Sequence, residues 1–327
     1  MSDLPRRVRI NEEGPREGFQ IERNPIPTAR KIELIDALSL TGVPQIQVVS
    51  FVSPSAVPGM ADAEQVVAGF TRRTGVIYTG LWLNEKGLLR ALAANKLDIR
   101  GSLALTASER FLLRNQKRTP DEDLAAQHSL IAMYRAHEVP VVRAGIMAAF
   151  GCNFEGDVPL ARVLGLVDQI RKLSATYGLR LETLSLADTM AWATPAAIRR
   201  VVGAVREAHP ELRLSLHLHD TRGMGIANAY AGLQMGVDTF DAAVGGLGGC
   251  PFAAHAGAAG NVCTEDLVFM CHEMGIETGI DLDALIEAAR LAEDIVGHPL
   301  PGSMMRGGTL DRLRAKARAA AEAAAQA

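Results

Sequence analysis

The sequence lacks any uninterrupted run of roughly eighteen or more apolar residues, the signature of a membrane-spanning helix. Its start, MSDLPRRVRINEEG, also lacks the apolar segment of a secretory signal peptide. No extended block of lysine and arginine is present, and the formal net charge is -3, which argues against a surface built to follow a phosphate backbone. We therefore expect a cytoplasmic protein that binds neither membranes nor nucleic acid.

Cysteine is also scarce. The 327 residues contain four cysteines, Cys152, Cys250, Cys263 and Cys271, and none of them forms a C-x-x-C pair. Four thiols in a chain of this length are too few for a disulfide scaffold. We expect reduced thiols, any one of which can be a reactive group.

What the sequence does contain is a repeat of short strands and amphipathic helices. Hydrophobic residues make up 48% of the chain, enough to build one large barrel or two ordinary domains. β-Branched or alternating runs are separated by segments of helical periodicity. The eight predicted strands are Val8–Asn11, Gln45–Phe51, Val76–Leu83, Gly101–Thr106, Pro140–Met147, Leu181–Leu186, Leu214–His219 and Thr239–Val244. This pattern predicts an α/β fold, a TIM (β/α)8 barrel, whose active site lies at the C-terminal ends of the strands.

Helix starts are predicted at Thr28, at Thr119 with Pro120, and at Thr194 with Pro195, because each precedes a periodic apolar segment. A doubly wound sheet is the competing architecture, but no G-x-G-x-x-G follows the first strand. We divide the chain into a barrel domain, residues 1–300, and a C-terminal tail, residues 301–327. The alanine-rich tail is expected to be helical or partly disordered.

Polar residues lie where the barrel model places the active site. His217 and His219 are two apart on the seventh strand, so both imidazoles point to the same side, and Asp220 follows. Paired histidines serve either a metal ion or ordinary hydrogen bonding. Arg16 and Glu17 lie between glycines after the first strand, which predicts a tight turn at the barrel mouth.

These side chains fit a mixed metal site. The Glu17 carboxylate, the two imidazoles and the amide oxygen of Asn261, after the eighth strand, would suit a divalent cation, Mg2+ or Mn2+. Asp188 follows the sixth strand and either caps a helix or takes part in acid/base chemistry. We favour chemistry, because Thr194 with Pro195 already caps the next helix.

Four glycines precede Cys250 in the stretch VGGLGGCPFA. A flexible connection with an incidental thiol is one interpretation. A mobile lid that carries a proton donor or acceptor is the other, and its place at the reactive face favours it.

These motifs together resemble those of the 3-hydroxy-3-methylglutaryl-CoA (HMG-CoA) lyase family. GPREGFQIE is similar to GPRDGLQNE, SLADT to SLGDT, and HLHDT with VGGLGGCPFA to HCHDT with AGLGGCPYA. The resemblance runs from about Val8 to about Pro299. It implies an acyl-CoA substrate, retro-Claisen cleavage to acetyl-CoA and a 3-oxo acid such as acetoacetate, and a homo-oligomer, a dimer or higher.

The resemblance also assigns roles to residues. Those implied to bind metal are Glu17, His217, His219 and Asn261; those implied in catalysis are Arg16, Asp188, Cys250 and His217; and those implied to bind substrate are Arg16, Gln20 and Gln47. Arg16 is expected to stabilise the developing enolate and Cys250 to transfer a proton.

Three features differ from the family pattern. Glu17 replaces an aspartate, which moves the carboxylate outward by about 1.5 Å. Gln47 stands where the family usually has a glutamate, so a charge beside Arg16 is expected to be absent. Two extra residues separate Cys250 from Asn261. Two alternatives therefore stay open: a lyase or Claisen synthase for a different 3-hydroxyacyl-CoA, and a barrel that binds a metal or CoA ester without turnover.

Overall fold

A computed structural model describes residues 4–22, 24–249 and 260–325 of the protein. Its central element is one parallel sheet in the order β3-β2-β1-β8-β7-β6-β5-β4. The strands are β1 (Arg9–Glu12), β2 (Gln45–Ser50), β3 (Ile77–Leu81), β4 (Gly101–Thr106), β5 (Val141–Met147), β6 (Thr183–Ala187), β7 (Leu214–His217) and β8 (Thr239–Ala242).

Helices alternate with these strands along the chain. They are α1 (Gly14–Ile21), α2 (Thr28–Ser39), α3 (Ala63–Gly69), α4 (Glu85–Ala93), α5 (Glu109–Gln116), α6 (Pro120–Ala136), α7 (Leu160–Tyr177), α8 (Pro195–Ala208), α9 (Gly225–Gln234), α10 (Thr264–Glu273), α11 (Leu282–Val296), α12 (Met304–Gly307) and α13 (Leu310–Ala325). Short 3-10 turns lie at Pro58–Met60 and Val244–Gly246.

The sheet curls because β1 pairs in parallel with β8, in the register Arg9 with Thr239 and Asn11 with Asp241. Between β3 and β4 the described residues form no ladder. Two hydrogen bonds join these edges instead. The Asp98 N–H group donates to the Tyr78 carbonyl oxygen at 2.7 Å, and the Tyr78 N–H group donates to the Asp98 carboxylate at 2.8 Å. The order confirms the TIM barrel and excludes the doubly wound sheet, whose strand order reverses at a switch point.

The two faces of the sheet differ in polarity. Residues that point outward, such as Ala144 and Ile146 on β5, are buried beneath the helices. Residues on the inner face include charged and polar groups: the guanidinium of Arg143 on β5 reaches across the barrel to Asp241 on β8. The strand alternation therefore puts the apolar core outside the barrel wall and a polar chamber inside it.

All eight predicted strands are present, with ends shifted by one to two residues at most places. Thr119 forms a full capping box with Glu122, and the Thr194 side chain accepts from the Ala197 N–H group. The helix predicted at Thr28 does start there, but Thr28 does not cap it, because Thr28 is the first residue of α2 and its hydroxyl donates to Asp62 at 2.7 Å. That carboxylate also accepts from Lys31 at 2.6 Å.

The C-terminal segment forms two helices. The short helix α12 packs Met304 and Met305 against the barrel, whereas the side chains described along α13 are mostly exposed. Arg314 on α13 pairs with Glu273 on α10 at 2.7 Å. The division into a barrel domain and a tail stays a prediction. Within the described residues, we find no helix with the length and apolar character needed to traverse a bilayer.

Candidate metal centre

Helix α1 places Glu17 at the barrel mouth. The tight turn predicted around Arg16 and Glu17 is wrong, because the segment is helical from Gly14 to Ile21. Pro15 lies in the first turn, where its fixed φ suits a helix and its missing N–H group costs nothing. The flanking glycines serve close packing: a Cβ atom on Gly18 would lie 2.9 Å from the Cβ atom of Leu247.

The end of β7 orients two imidazole rings toward Glu17. His219 Nδ1 lies 2.8 Å from the carbonyl oxygen of Thr189, which can only accept, so Nδ1 carries the proton and Nε2 a lone pair. His217 Nδ1 lies 3.2 Å from the Asp241 carboxylate, which fixes the same tautomer. These contacts are the kind that orient metal-bound histidines. In the neutral rings, both Nε2 atoms are thereby left as acceptors.

These two Nε2 atoms converge on the Glu17 carboxylate. They lie 3.3 Å apart, and each is within 3.9 Å of a Glu17 oxygen. Two neighbouring ligands about 2.1 Å from a cation in octahedral geometry are separated by about 3 Å. Facing lone pairs beside a carboxylate repel one another unless a positive charge lies between them. The geometry therefore fits a divalent cation.

Asn261 supplies a fourth candidate ligand. Its backbone pairs with His219 in an isolated bridge, and the Val262 N–H group donates to Leu218 at 2.9 Å, so the segment after β8 lies against the end of β7. The Asn261 amide donates to Glu17 at 2.6 Å and to the Leu247 carbonyl at 3.1 Å. Its Oδ1 is buried and has no partner in the described part of the chain. An unpartnered buried oxygen fits a metal ligand.

Behind His217, a buried network holds its orientation. The Asp241 carboxylate receives Arg143, the amide of Asn11 at 3.0 Å, and the His217 ring. Burial opposes ionisation of Asp241, but Arg143 and His217 outweigh it and hold the pKa of Asp241 below its usual range. Asp241 is therefore ionised at neutral pH and fixes the imidazole.

Charge at the centre favours a cation. Burial raises the pKa of Glu17, but Arg16 and the two histidines outweigh it and place this pKa well below the usual range. Burial likewise lowers the pKa of His217, yet Glu17 and Asp241 raise it to about 9. Three carboxyl groups, with Glu13 the third, face two guanidinium groups and His217, so a bound cation would take the place of the proton that His217 otherwise carries at neutral pH.

Arg16 is held by oxygens from three residues. Its Nη2 atom lies 3.0 Å from Glu13 and 2.8 Å from Glu17, and its Nε donates to Gln47. Gln47 beside Arg16 is neutral, as expected, but a carboxyl group that the sequence analysis did not consider, that of Glu13 after β1, also lies beside Arg16. Burial and then Asp241 raise the pKa of Glu13 to about 7, although Arg16 opposes the shift.

Asp188 is buried next to the centre. Its Oδ1 accepts from the N–H groups of Trp192 and Ala193 at 2.7 and 3.0 Å, so one oxygen does stabilise a turn. Its Oδ2 is buried without a partner among the residues described. Burial raises the pKa of Asp188 to about 6, although His219 opposes the shift. One oxygen is thus structural and the other is available for chemistry.

The glycine-rich segment packs directly on the metal centre. Gly248 has a φ of +84°, and a Cβ atom there would lie 2.8 Å from the Cβ atom of Glu17 and 2.8 Å from the Asn261 amide. Only glycine allows this approach. Cys250 lies outside the described residues, as does most of the stretch between it and Asn261. Gln20 is on α1, and its Oε1 is buried without a partner in the described segments.

A second group of possible ligands, Cys263, Glu265 and Asp266, lies nearby. The Asp266 carboxylate accepts from the backbone of Ser303 and Met304, and Glu265 accepts from the Gly245 N–H group at 3.0 Å. Two of its members are therefore already engaged in structural hydrogen bonds.

Sequence reasoning overlooked Glu13, Asp241, Arg143 and Asn11. A signal was present, because each is polar at an inner-face position of a strand or at its end, where strand periodicity predicts it to point into the barrel. Their hydrogen-bond partners across the barrel depend on the register between strands, which the strand sequences do not predict.

Comparisons with known proteins point to one family. The family model described as HMGL-like matches residues 7–292. The chain is 40% identical over 284 residues to the mitochondrial hydroxymethylglutaryl-CoA lyase of Gallus gallus, covering 87% of this chain and 92% of that protein. It is 38% identical over 295 residues to the 3-hydroxy-3-isohexenylglutaryl-CoA/hydroxymethylglutaryl-CoA lyase of Pseudomonas aeruginosa, covering 90% of this chain and 95% of that one.

Solved structures give the same result. An HMG-CoA lyase from Acinetobacter baumannii, in complex with coenzyme A and 3-methylmalate, superimposes with a TM-score of 0.83 at 40% identity. The alignment covers 94% of this chain and 97% of that chain.

Replacing Asp241 with asparagine should weaken divalent-cation binding by about 10–100-fold, because the amide no longer fixes the His217 tautomer by charge. Calorimetric titration with Mn2+ measures the effect. Asp238→Asn is the matched control, since Asp238 lies beside β8 but pairs with Arg213 away from the centre. Equal affinities in Asp241→Asn and wild type would contradict the orienting role.

Proposed function

The chain belongs to the HMGL-like family, and from this membership we propose that residues at the barrel mouth carry out metal-assisted cleavage of HMG-CoA to acetyl-CoA and acetoacetate. The protein is a carbon–carbon lyase of the HMG-CoA lyase type. The observation that supports the site assignment is the convergence of two imidazole lone pairs and the Glu17 carboxylate next to Arg16. The homo-oligomeric state and the cytoplasmic location stay predictions.

Four residues would hold the cation: Glu17, His217, His219 and Asn261. The donor set of carboxylate oxygen, amide oxygen and two imidazole nitrogens suits Mg2+ or Mn2+. When bound, such a cation supplies Lewis-acid chemistry, since it makes a coordinated hydroxyl group more acidic and polarises an acyl oxygen. His217 is important because the Asp241 contact keeps its Nε2 lone pair directed into the site.

Asp188 is the proposed base for the tertiary hydroxyl group. One carboxylate oxygen is fixed by two backbone N–H groups, and the other has no partner in the described residues. A pKa of about 6 leaves the group mostly ionised at neutral pH and able to accept a proton. As the hydroxyl proton leaves, the C2–C3 bond breaks and its electron pair moves to C2 and the thioester oxygen.

Arg16 is the proposed stabiliser of this enolate. Its side chain is 14% exposed, and Glu13, Glu17 and Gln47 restrict its orientation, so little reorganisation accompanies the appearance of negative charge. Gln47 contributes through Arg16, and Gln20 is proposed to line the substrate site. A proton delivered to C2, proposed to come from Cys250, completes acetyl-CoA and leaves acetoacetate as the second product.

The test of this function is acetyl-CoA release from HMG-CoA with and without a divalent cation. We expect turnover with Mg2+ or Mn2+ on the order of 10 per second, and its loss after exhaustive chelation. Adding either cation back should restore it. His219→Ala should bind the cation weakly while staying folded by circular dichroism, because it removes a ligand. Full turnover of the chelated protein would refute the metal assignment.

A second candidate substrate class carries a larger group on C3. Gly145 lies on the inner face of β5, two residues beyond Arg143, and is in register with Ala104 and Ser185. A Cβ atom at Gly145 would be in ordinary van der Waals contact with Ser185, 3.6 Å from its carbonyl oxygen, so the glycine leaves room for a small group there. The Pseudomonas aeruginosa relative is named for both the isohexenyl and the methyl compound. The missing side chain at Gly145 supports the proposal of a similarly broad range here.

Filling this space should select against the larger substrate. For Gly145→Leu we expect kcat/KM on 3-hydroxy-3-isohexenylglutaryl-CoA to fall by about tenfold or more relative to HMG-CoA, because the added side chain competes with the long substituent. Gly165→Leu, on α7 with open space around it, is the control. Equal losses on both thioesters would exclude Gly145 from the C3 pocket, and a wild type inactive on the isohexenyl compound would exclude this substrate.

A further inference from the structure

The guanidinium group of Arg16 is fixed on one side and open on the other. Nε donates to Gln47, and Nη2 lies between the carboxylates of Glu13 and Glu17. Nη1 has no hydrogen-bond partner within residues 4–22, 24–249 and 260–325. Because the guanidinium group is planar, fixing Nε and Nη2 also fixes the direction in which Nη1 points.

The three partners of Arg16 are not equivalent. Gln47 is neutral, so it forms a weaker hydrogen bond than a carboxylate does. Glu17 is shared, because it also faces His217, His219 and the Asn261 amide. Glu13 is the partner whose described side-chain contacts are confined to Arg16. Its side chain is 3% exposed, so solvent screens this pair little.

Glu13 also occupies a rigid position. It follows β1 and precedes α1, and its backbone carbonyl accepts from the N–H groups of Arg16 and Glu17 at 3.1 and 2.8 Å. The backbone from which this carboxylate extends is therefore fixed relative to the first turn of the helix that carries both residues. One short segment of chain fixes the arginine, its counter-charge and the proposed metal ligand together.

We propose that Glu13 is a positioning residue, whose carboxylate holds the Arg16 guanidinium so that Nη1 faces the oxygen that gains charge during cleavage. This role rests on the proposed function of Arg16. If Glu13 has this role, a carboxylate introduced at position 47 should be able to replace the carboxylate of Glu13. Because Gln47 Oε1 already accepts from Arg16 Nε, an isosteric glutamate there would place a carboxylate oxygen on the same guanidinium.

The test is a charge-relocation experiment. Glu13→Gln should lower kcat on HMG-CoA by about tenfold, because a neutral amide replaces a charge-assisted hydrogen bond. KM should change little, since the interaction strengthens in the transition state. Glu13→Gln combined with Gln47→Glu should restore kcat to within about threefold of wild type, as coupled neighbours do.

Gln45→Glu is the matched control for the rescue. Gln45 lies two residues away on the same strand, but its Oε1 faces Arg9 at 3.4 Å. The Glu13→Gln, Gln45→Glu protein should stay impaired. If it recovers as well as the Gln47 combination, general charge matters and the positioning role is wrong. Unchanged kcat in Glu13→Gln would also overturn the proposal.

Two further measurements separate this proposal from the proposed function. Calorimetry with Mn2+ should give affinities within about threefold of wild type for every variant, because Glu13 is not a ligand. A parallel loss of cation affinity and turnover would contradict positioning of Arg16. Crystal structures should show the guanidinium displaced in Glu13→Gln and returned in the rescued variant. That comparison holds even if the wild type fails to cleave HMG-CoA, and an unmoved guanidinium would overturn the proposal.

Discussion

Two imidazole nitrogens face each other across 3.3 Å beside a buried carboxylate, and the rest of the site is arranged around that convergence. The Thr189 carbonyl and the Asp241 carboxylate hold a proton on the opposite nitrogen of each ring, so only a positive charge can relieve this repulsion, either a proton added to His217 Nε2, whose pKa is about 9, or a bound cation. A cation resolves this conflict. Preorganisation for it is what makes the centre a candidate metal site and not merely a polar cluster.

The polar interior of the barrel is what makes this arrangement possible. Arg143 reaches across the chamber to Asp241, and Asn11 joins from β1, so the orientation of one metal ligand depends on residues from three strands. Burial would otherwise disfavour ionisation of Asp241, and the guanidinium compensates for it. Polar residues on the inner face of the barrel thus orient the proposed metal ligands at its mouth, while apolar residues on the outer face pack against the helices.

Much of the fold and part of the candidate site could be predicted from the sequence. The eight strands follow from alternation, and the His217, His219 pair follows from the period of two, since both are local properties. The helix at Gly14–Ile21 was missed because its glycines resemble turn residues. Their role is close packing, of Gly14 against Glu12 and Val244 and of Gly18 against Leu247. The Glu13 partner of Arg16 was missed because only the position of Gln47 was compared with the family pattern. That comparison cannot show that a carboxyl group reaches Arg16 from the end of a neighbouring strand. Which residue supplies the carboxylate beside Arg16 depends on distances in the folded protein.

The most direct test of the central claim is a crystal structure of the protein with Mn2+, using anomalous scattering to locate the ion. The account predicts one peak bounded by a Glu17 oxygen, His217 Nε2, His219 Nε2 and Asn261 Oδ1, at metal–ligand distances of about 2.0–2.4 Å. A peak at Cys263, Glu265 and Asp266 instead, or no peak beside the two imidazoles at saturating Mn2+, would contradict it.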